Sequence, residues 1–428
     1  MKVLVLGSGG REHAIVWALK ETATSAIQLY CAPGNAGIAQ IAECHRIPAN
    51  QTSSLIEFVR EQTIDLTVVG PEAPLAAGIV DAFQEQGLAI VGPTQAASRL
   101  ESSKVFAKDF MARHEIPTAG YRVVRSAAEA SEALRSGAFG PDTAGAVVKA
   151  DGLAAGKGVV VAKSRSEAED AAGMLISGEL VGTEASRQLV IEETLQGIEA
   201  SVLLFTDGTD YALMPAARDH KRIGEGDTGP NTGGMGAITN GSVIEPGNLA
   251  RAVKEIVEPT LAGAREEGFP FKGVLFIGLM LTADGPKVLE YNVRFGDPEA
   301  QAILVRLTTS LLDILEAIRT QRLRDVKVDW SDDASACVVL ASKGYPGEYK
   351  TGIRITGLES LAEDERVRVF HAGTSLSEQG EFLTAGGRVL GVTATGSTLE
   401  TALERCFGAV GRIGWEGMQY RRDIGKFS

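Results

Sequence analysis

The stretch PKVLEYNVRFGDPE, residues 286–299, carries the strongest signal in the sequence. Its period-two pattern predicts a strand with Glu290, Asn292 and Arg294 on one polar face and apolar residues such as Leu289 on the other. A carboxylate and an amide oxygen two residues apart are ligands suited to Mg²⁺ or Mn²⁺ bound to phosphates, and Arg294 can hold an anion beside them. A solvated polar strand face is the alternative interpretation.

A glycine-rich segment, VVKADGLAAGKGVV at residues 147–160, predicts two strands joined by a hairpin. It is not a Walker A loop, because Gly158 stands where Ser or Thr would follow the lysine, and a strand rather than a helix comes next. Lys149 lies on the first strand, and Lys157 follows Gly156 in the turn. Backbone amides and two ammonium groups suit a flap over a triphosphate. An ordinary mobile hairpin is the alternative.

The first hundred residues alternate short apolar runs with helical stretches, which predicts a doubly wound parallel α/β domain. The first run, 3–6, leads into GSGGREH at residues 7–13. The dinucleotide fingerprint fails at Glu12, and the second strand ends without an acid for a ribose, so a nicotinamide site is disfavoured. A phosphate held at a helix N-terminus with Arg11, joined by Asn35, remains open. So does a plain strand–helix turn.

The stretch LVIEETL, residues 189–195, is apolar, then acidic, then apolar. Such a strand end leading into a hinge can offer backbone groups to an adenine, with Glu199 on the ribose. A solvated acidic strand end is equally compatible with these residues. Further on, residues 219–236 are rich in glycine and charge, and we expect a long loop there.

Composition limits the classes of function. The 428 residues carry 42 basic and 55 acidic side chains, a net charge of -13, which argues against bulk binding of nucleic acid or anionic membranes. No apolar run reaches the roughly 18 residues that span a bilayer, and the N-terminal run is too short for a signal peptide. The 4 cysteines form no CxxC pair, so neither a zinc site nor a disulfide framework is indicated. We expect a cytoplasmic protein.

These segments, taken together, resemble the ATP-grasp superfamily and, more narrowly, the phosphoribosylamine–glycine ligase family. The resemblance runs essentially end to end, through GGREH (9–13), APGNAG (32–37), VGPEAPL (69–75), KADGLAAGKGV (149–159), DHKR (219–222), DTGPNTGGMG (227–236), RFGDPE (294–299), GYPG (344–347) and HAGT (371–374). It implies an α/β and α+β multidomain protein. We expect an N-terminal doubly wound parallel domain over 1–103, an ATP-grasp domain over 104–322 with a flap subdomain at about 120–194, and a small C-terminal α+β domain over 330–428.

The resemblance also implies an activity. Members of the family join glycine to 5-phosphoribosylamine in purine biosynthesis, converting ATP to ADP and phosphate through a glycyl phosphate, with Mg²⁺ or Mn²⁺. The enzyme positions the reactants and neutralises negative charge, and it needs no covalent nucleophile. We expect a monomer whose partners are these small molecules.

Family roles transfer to individual positions as follows. The resemblance implies that ATP is bound by Lys104, Lys149, Gly156, Lys157, Gly158, Glu192, Glu193, Leu195 and Glu199. The metal is assigned to Glu290 and Asn292. The acyl-phosphate site is assigned to Asp219, Lys221, Arg294 and Asp297. The phosphoribosyl group is assigned to Gly10, Arg11 and Asn35.

One departure from the superfamily leaves the number of metal ligands open. Many members have an additional acid on the strand before the E-x-N strand, whereas residues 274–281 carry none and Asp284 lies in the following turn. Another ATP-grasp carboxylate–amine ligase is the main alternative enzyme. A non-catalytic nucleotide sensor is a second alternative, although intact Glu290, Asn292 and Lys149 weigh against it.

Overall fold

The computed structural model describes residues 1–141, 144–154, 158–178, 187–361 and 364–427. Gly156 and Lys157, which the sequence assigns to the hairpin over a triphosphate, lie outside the described residues. Within this part of the chain, no helix is both long enough and apolar enough to cross a bilayer.

A parallel sheet forms the N-terminal region, as predicted. Its strands are Lys2–Gly7 (β1), Gln28–Pro33 (β2), Glu43–Cys44 (β3), Leu66–Val69 (β4) and Ile90–Val91 (β5). Its helices are Gly10–Glu21 (α1), Thr52–Glu61 (α2), Glu72–Ala76 (α3), Ile79–Glu85 (α4) and Gln95–Ser102 (α5), with a short turn at Ile38–Gln40. The spatial order β3-β2-β1-β4-β5 reverses at β1. Ligands of such sheets bind where the order reverses, outside the carboxyl end of that strand.

The central strand β1 is buried on both faces. Leu4 and Leu6 belong to one hydrophobic cluster, whereas Val3 and Val5 belong to another. A parallel strand covered on both sides therefore reads as a continuous apolar run, which is why the sequence predicted it without alternation. The two clusters extend into the central region, so both regions share their cores.

A second unit follows. Its elements are Lys104–Arg113 (α6), Tyr121–Val124 (β6), Ala127–Arg135 (α7), Ala146–Ala150 (β7), Val159–Ala162 (β8), Arg165–Ile176 (α8) and Leu189–Glu193 (β9). The antiparallel sheet has the order β6-β9-β7-β8, and the predicted pairing of β7 with β8 is confirmed. The strands and helices from β6 to β9 enclose a cluster of their own, with Leu134, Val148, Leu175 and Ile191 at its centre. We call the unit from β6 to β9 the flap, whereas α6 packs in the cluster of Leu4 and Leu6.

Most strands in the rest of the chain form one long sheet, and two separate two-stranded hairpins lie outside it. The central strands are Ile198–Asp207 (β10), Tyr211–Leu213 (β11), Ala217–Asp219 (β12), Arg222–Gly224 (β13), Thr228–Asn231 (β14), Gly236–Thr239 (β15), Lys272–Thr282 (β16) and Gly285–Asn292 (β17). The central helices are Pro246–Ala252 (α9), continued by a π-helical turn at Val253–Val257, then Glu258–Glu266 (α10), Glu299–Leu304 (α11) and Leu311–Thr320 (α12).

The C-terminal region adds Ala334–Ser342 (β18), Val367–His371 (β19), Thr374–Leu376 (β20), Phe382–Thr384 (β21), Arg388–Gly396 (β22), Leu399–Val410 (α13) and Met418–Gln419 (β23), with short turns at Leu323–Asp325 and Leu358–Leu361. The order β17-β16-β10-β12-β15-β18-β22-β19 carries the sheet across both regions. The expected boundary between the ATP-grasp domain and the C-terminal domain, at 322–330, is therefore not a boundary of the sheet. The domain ranges stay predictions.

Two local expectations were wrong. Residues 219–236 are not one long loop, because β13 and β14 form a hairpin within them. Strand β17 contains a bulge, since Gly278 pairs with Glu290 while Leu279 pairs with Val288. The unpaired Leu289 shifts the alternation, so Val288 lies on the buried face with Tyr291.

Candidate active site

The lysine on the flap meets the strand with the proposed metal ligands. Lys149 Nζ donates a hydrogen bond to the Leu289 carbonyl at 3.0 Å. The β-bulge leaves Leu289 without a ladder partner, and bulges are common next to active sites, where they redirect backbone groups. Strand β7, which carries Lys149, and the E-x-N strand β17 therefore lie next to each other.

Glu290 lies at the centre of a cationic group. Its removal from water opposes the charged form, but Lys221, Lys149 and Lys104 outweigh this and hold the pKa of Glu290 below its ordinary value. The Lys221 ammonium lies 4.0 Å from the carboxylate. An ionised carboxylate can bind a cation. When no cation is present, it balances the positive charge of these lysines.

The residues fit a divalent cation in part. Glu290 and Asn292 supply two oxygen ligands of the hard type that Mg²⁺ prefers. Among the described residues, no group of three or more His, Cys, Asp and Glu side chains is arranged to hold a metal ion. A cation held by these two residues would need phosphate oxygens and water to complete its coordination, which is usual for Mg²⁺ at nucleotide sites.

A buried carboxylate joins two lysines behind the hairpin. Glu192 Oε1 lies 2.8 Å from Lys149 Nζ, and Glu192 Oε2 lies 3.1 Å from Lys108 Nζ. Burial lowers the pKa of Lys108 to about 8, although Glu192 opposes this shift. Lys108 was not selected from the sequence, although it lies four residues after Lys104 on α6 and therefore on the same helix face. Lys104 itself donates to the Gly152 carbonyl at 2.9 Å.

The expected adenine hinge follows β9. The Glu193 amide donates to the Gly120 carbonyl at 3.0 Å, and the Glu193 carboxylate accepts from the Gly120 amide at 2.9 Å. The Leu195 amide makes no hydrogen bond to a described residue and remains available to a base. Glu199 is exposed, and its carboxylate lies 3.2 Å from Lys221 Nζ, so these two predicted site residues are in contact.

Asp219 and Lys221 approach the same place from β12. Burial, with the nearby Glu199 and Glu290, raises the pKa of Asp219 against the lowering effect of Lys221. Burial opposes the charge on Lys221, but Glu199, Asp219 and Glu290 prevail and raise its pKa well above the ordinary value. Lys221 is therefore a permanent cation between carboxylates.

Arg294 lies beyond the end of β17 and reaches the N-terminal region. Its Nη2 lies 2.7 Å from Glu101 Oε1, and its Nε lies 3.2 Å from Glu72 Oε2. Neither acid was selected from the sequence, although Glu72 lies in the quoted VGPEAPL segment. These contacts fix the guanidinium where the two regions meet.

Asp297 is held by a residue that no sequence signal indicated. Arg388 Nη2 lies 3.1 Å from Asp297 Oδ2, and Gln301 Nε2 donates to Asp297 Oδ1 at 2.7 Å. Burial opposes ionisation of Asp297, but Arg388 and Arg11 lower its pKa. Arg388 lies on β22 and also donates to the Gly233 carbonyl, so the C-terminal region contributes to this site.

The loop after β1 forms the last part of the site. Arg11 Nε pairs with Glu12 Oε1 at 2.6 Å, and Arg11 Nη1 lies 3.8 Å from Glu72 Oε2. The Gly10 amide makes no backbone hydrogen bond to a described residue, whereas the Arg11 amide interacts with the Asp297 carboxylate and helps to lower the pKa of Asp297. A Cβ at Gly10 would lie 2.5 Å from Gln301 Nε2, so a larger residue there would displace the amide that donates to Asp297.

Asn35 is near this loop but its side chain is fully engaged. Its amide group donates to the Ser8 carbonyl at 2.8 Å and to the His371 carbonyl at 2.7 Å. Its carbonyl accepts from the amides of Gly37 and Ile38, each at 2.9 Å. Asn35 therefore holds the loop in shape, and a direct contact with substrate stays a prediction.

Three models of known protein families match this chain. "Phosphoribosylglycinamide synthetase, N domain" matches residues 1–101, "Phosphoribosylglycinamide synthetase, ATP-grasp (A) domain" matches 102–300, and "Phosphoribosylglycinamide synthetase, C domain" matches 335–427. Together they account for most of the chain, in the order that the sequence predicted.

Curated relatives and solved structures agree. A phosphoribosylamine–glycine ligase of Brucella melitensis is 47% identical over 425 residues, covering 99% of this chain and 97% of that protein. One from Caldanaerobacter subterraneus is 45% identical over 424 residues, covering 99% of each. The crystal structure of phosphoribosylamine–glycine ligase from Thermotoga maritima is 34% identical, with a TM-score of 0.83 and coverage of 99% and 100%. A biotin carboxylase of Campylobacter jejuni, 13% identical with a TM-score of 0.71 and coverage of 98% and 92%, shares the fold.

Replacing Lys108 with Met removes one of the two cations beside the buried Glu192. We expect the free energy of unfolding to fall by about 2 kcal/mol, because a buried carboxylate loses a charged hydrogen-bonding partner. In a Glu192→Gln background the same replacement should cost less, with a coupling energy of about 1 kcal/mol or more. Urea unfolding of the four proteins in this cycle measures that energy.

Lys104 provides the matched control. It donates to the Gly152 carbonyl and forms no ion pair with Glu192. Its cycle with Glu192→Gln should be additive within about 0.5 kcal/mol. Additive behaviour of the Lys108 cycle would contradict a shared carboxylate.

Proposed function

The chain belongs to the phosphoribosylglycinamide synthetase family, and on that premise we propose that it joins glycine to 5-phosphoribosylamine with conversion of ATP to ADP and phosphate. Glu72 carries this proposal. Its Oε2 lies 3.2 Å from Arg294 and 3.8 Å from Arg11, so one carboxylate links the loop for the phosphoribosyl group to the acyl-phosphate site. A ligase needs its nucleophile and its activated carboxylate side by side.

Glycine must first be activated, because a carboxylate is a poor acyl donor. The glycine carboxylate attacks the γ-phosphate, forming glycyl phosphate and releasing ADP. Lys149 and Lys104 neutralise the phosphate charge, with Gly158 and the hinge at Glu193 and Leu195 holding the rest of the nucleotide. Glu290 and Asn292 would hold Mg²⁺ or Mn²⁺, which supplies further charge neutralisation at the phosphates.

Ligation follows at the same place. The amine of 5-phosphoribosylamine attacks the glycyl carbonyl, the carbon–oxygen bond to phosphate breaks, and the amine proton is lost to the departing phosphate or to water as the amide forms. Arg294, Lys221, Asp219 and Asp297 line this step. Arg11 and the amides after β1 hold the 5-phosphate, and this contact orients the reacting amine at the other end of the same molecule. Most of the catalytic effect therefore comes from positioning.

The decisive assay is release of ADP with the two substrates supplied separately and together. Rapid ADP release should need both glycine and 5-phosphoribosylamine, because the acyl phosphate is consumed only by the amine. Release with a different acid and amine pair would favour another ATP-grasp ligase. ATP binding without turnover of any pair would favour a nucleotide sensor.

The proposal includes a cytoplasmic monomer. All four cysteines are free thiols, which suits a reducing compartment. Sedimentation of the purified chain at working concentration measures the oligomeric state, and a dimer would contradict that part alone.

Replacing Glu290 with Gln should lower kcat at least about a hundredfold, since a metal ligand is expected to matter at least as much as the groups that orient one. Thermal unfolding should be unchanged within a few degrees, because the carboxylate is partly exposed. The measurement is steady-state ADP release at saturating Mg²⁺.

Asp284→Asn is the matched control, because this acid follows β16 and lies beside Arg251. It should retain wild-type kcat. Full turnover of Glu290→Gln would refute the metal assignment. A loss of turnover in both variants would indicate that Asp284, in the turn, supplies the second metal ligand.

Replacing Arg11 with Lys keeps the positive charge and removes the planar fork that binds phosphate. We expect the KM for 5-phosphoribosylamine to rise about tenfold or more, with the KM for ATP changed less than about twofold. Arg60→Lys, an exposed arginine of α2 that donates to Gln86, is the control. Equal increases for both substrates would mean that the loop is structural.

A further inference from the structure

The segment 217–221 has two faces with different surroundings. Asp219 and Lys221 alternate with Arg218 and His220, so the two pairs project to opposite sides. Lys221 reaches Glu290 and Glu199 at the site. The other face lies against residues 421–427, to which the proposed mechanism gives no role.

One aromatic ring covers the back of this segment. The Phe427 ring stacks on His220 with 4.3 Å between centroids and an interplanar angle of 10°. The Arg218 guanidinium lies 3.6 Å from the centroid of the same ring. Stacking and cation–π contacts of this kind fix the position of both back-face side chains.

His220 is also fixed by a hydrogen bond. The Gly425 amide donates to His220 Nε2 at 3.0 Å, which places the ring proton on Nδ1, toward Asp227 Oδ1 at 3.7 Å. Burial and the nearby Arg421 lower the pKa of His220 to about 4. The ring is therefore neutral near pH 7, and residue 220 cannot rotate without breaking this bond.

Arg421 secures the hairpin that follows Lys221. The Arg421 side chain is 1% exposed, and its two terminal nitrogens each lie 2.7 Å from a carboxylate, Asp227 and Asp423. It also donates to the Arg222 carbonyl at 3.0 Å. Asp423 in turn accepts from the Gly226 amide at 2.8 Å. Both sides of Lys221 are thus tied to the same short segment.

We propose that residues 421–427 form a back clamp, in which Phe427 and Arg421 are positioning residues that hold Asp219 and Lys221 at the acyl-phosphate site. The inference rests on the proposed function, since the roles of Asp219 and Lys221 come from it. The physical reason is that catalytic groups must be held to within about half an ångström, and supporting contacts supply this precision.

Phe427→Ala tests the back clamp. We expect kcat to fall about tenfold or more, because small displacements of reacting groups cost that much, while the Kd for ATP changes less than about twofold. Phe427→Tyr keeps the ring and should retain kcat within about twofold. Phe407→Ala is the matched control, because Phe407 is also partly buried against the same hydrophobic cluster but makes no ring contact with 217–221. It should lower thermal stability without lowering kcat.

Hydrogen exchange separates this inference from the proposed function. Peptides spanning 217–236, without substrates, should exchange faster in Phe427→Ala than in wild type and Phe407→Ala, because the His220 and Met235 amides are bonded across this segment. Unchanged exchange would overturn the back clamp, and so would faster exchange with full kcat. A wild-type protein without turnover would instead refute the proposed function, and exchange alone would then decide the clamp.

Discussion

Burial of positive charge is the constraint on which the site depends. Cations that neutralise phosphates must be partly removed from water, and an unpaired buried cation is unstable. The chain meets this constraint by sharing carboxylates. Glu192 lies between Lys108 and Lys149, and Glu72 lies between Arg11 and Arg294. The trio around Glu192 keeps one positive charge in excess, which is what a phosphate needs, whereas Arg11 and Arg294 are each paired with a further carboxylate, Glu12 and Glu101. The geometry of both groups is fixed before any ligand binds.

The parts that the sequence predicted correctly have local signals. Strand β1 reads as an unbroken apolar run because both of its faces are buried. Glu290 and Asn292 were selected because polar residues alternate along an otherwise apolar strand, and their binding of a metal stays a prediction. Leu289 did not follow the alternation, because a bulge depends on the partner strand and leaves no mark on its own sequence. The hairpin of β13 and β14 was missed for a related reason, since its glycine-rich strands bury no apolar face.

The residues that the sequence did not reveal act across long distances in the chain. Lys108, Glu101 and Arg388 each meet their partners only after folding. Arg388 is the clearest case, because an arginine on a strand has many possible partners and nothing nearby indicates Asp297. The match to a family supplies the order of the regions, but the contacts between them come from the structure.

These contacts make the C-terminal region part of the catalytic unit. Strand β15 pairs with β18, Arg388 reaches Asp297, and the Asn35 side chain donates to the His371 carbonyl. The flap, by contrast, has its own hydrophobic cluster and meets β17 through polar contacts such as that of Lys149 with the Leu289 carbonyl. A triphosphate would compete with that carbonyl and with Glu192 for the same ammonium group. Under the proposed function, nucleotide binding and the position of the flap would be coupled through Lys149, whereas the strands beside the proposed acyl site, β12 and β17, belong to the long sheet.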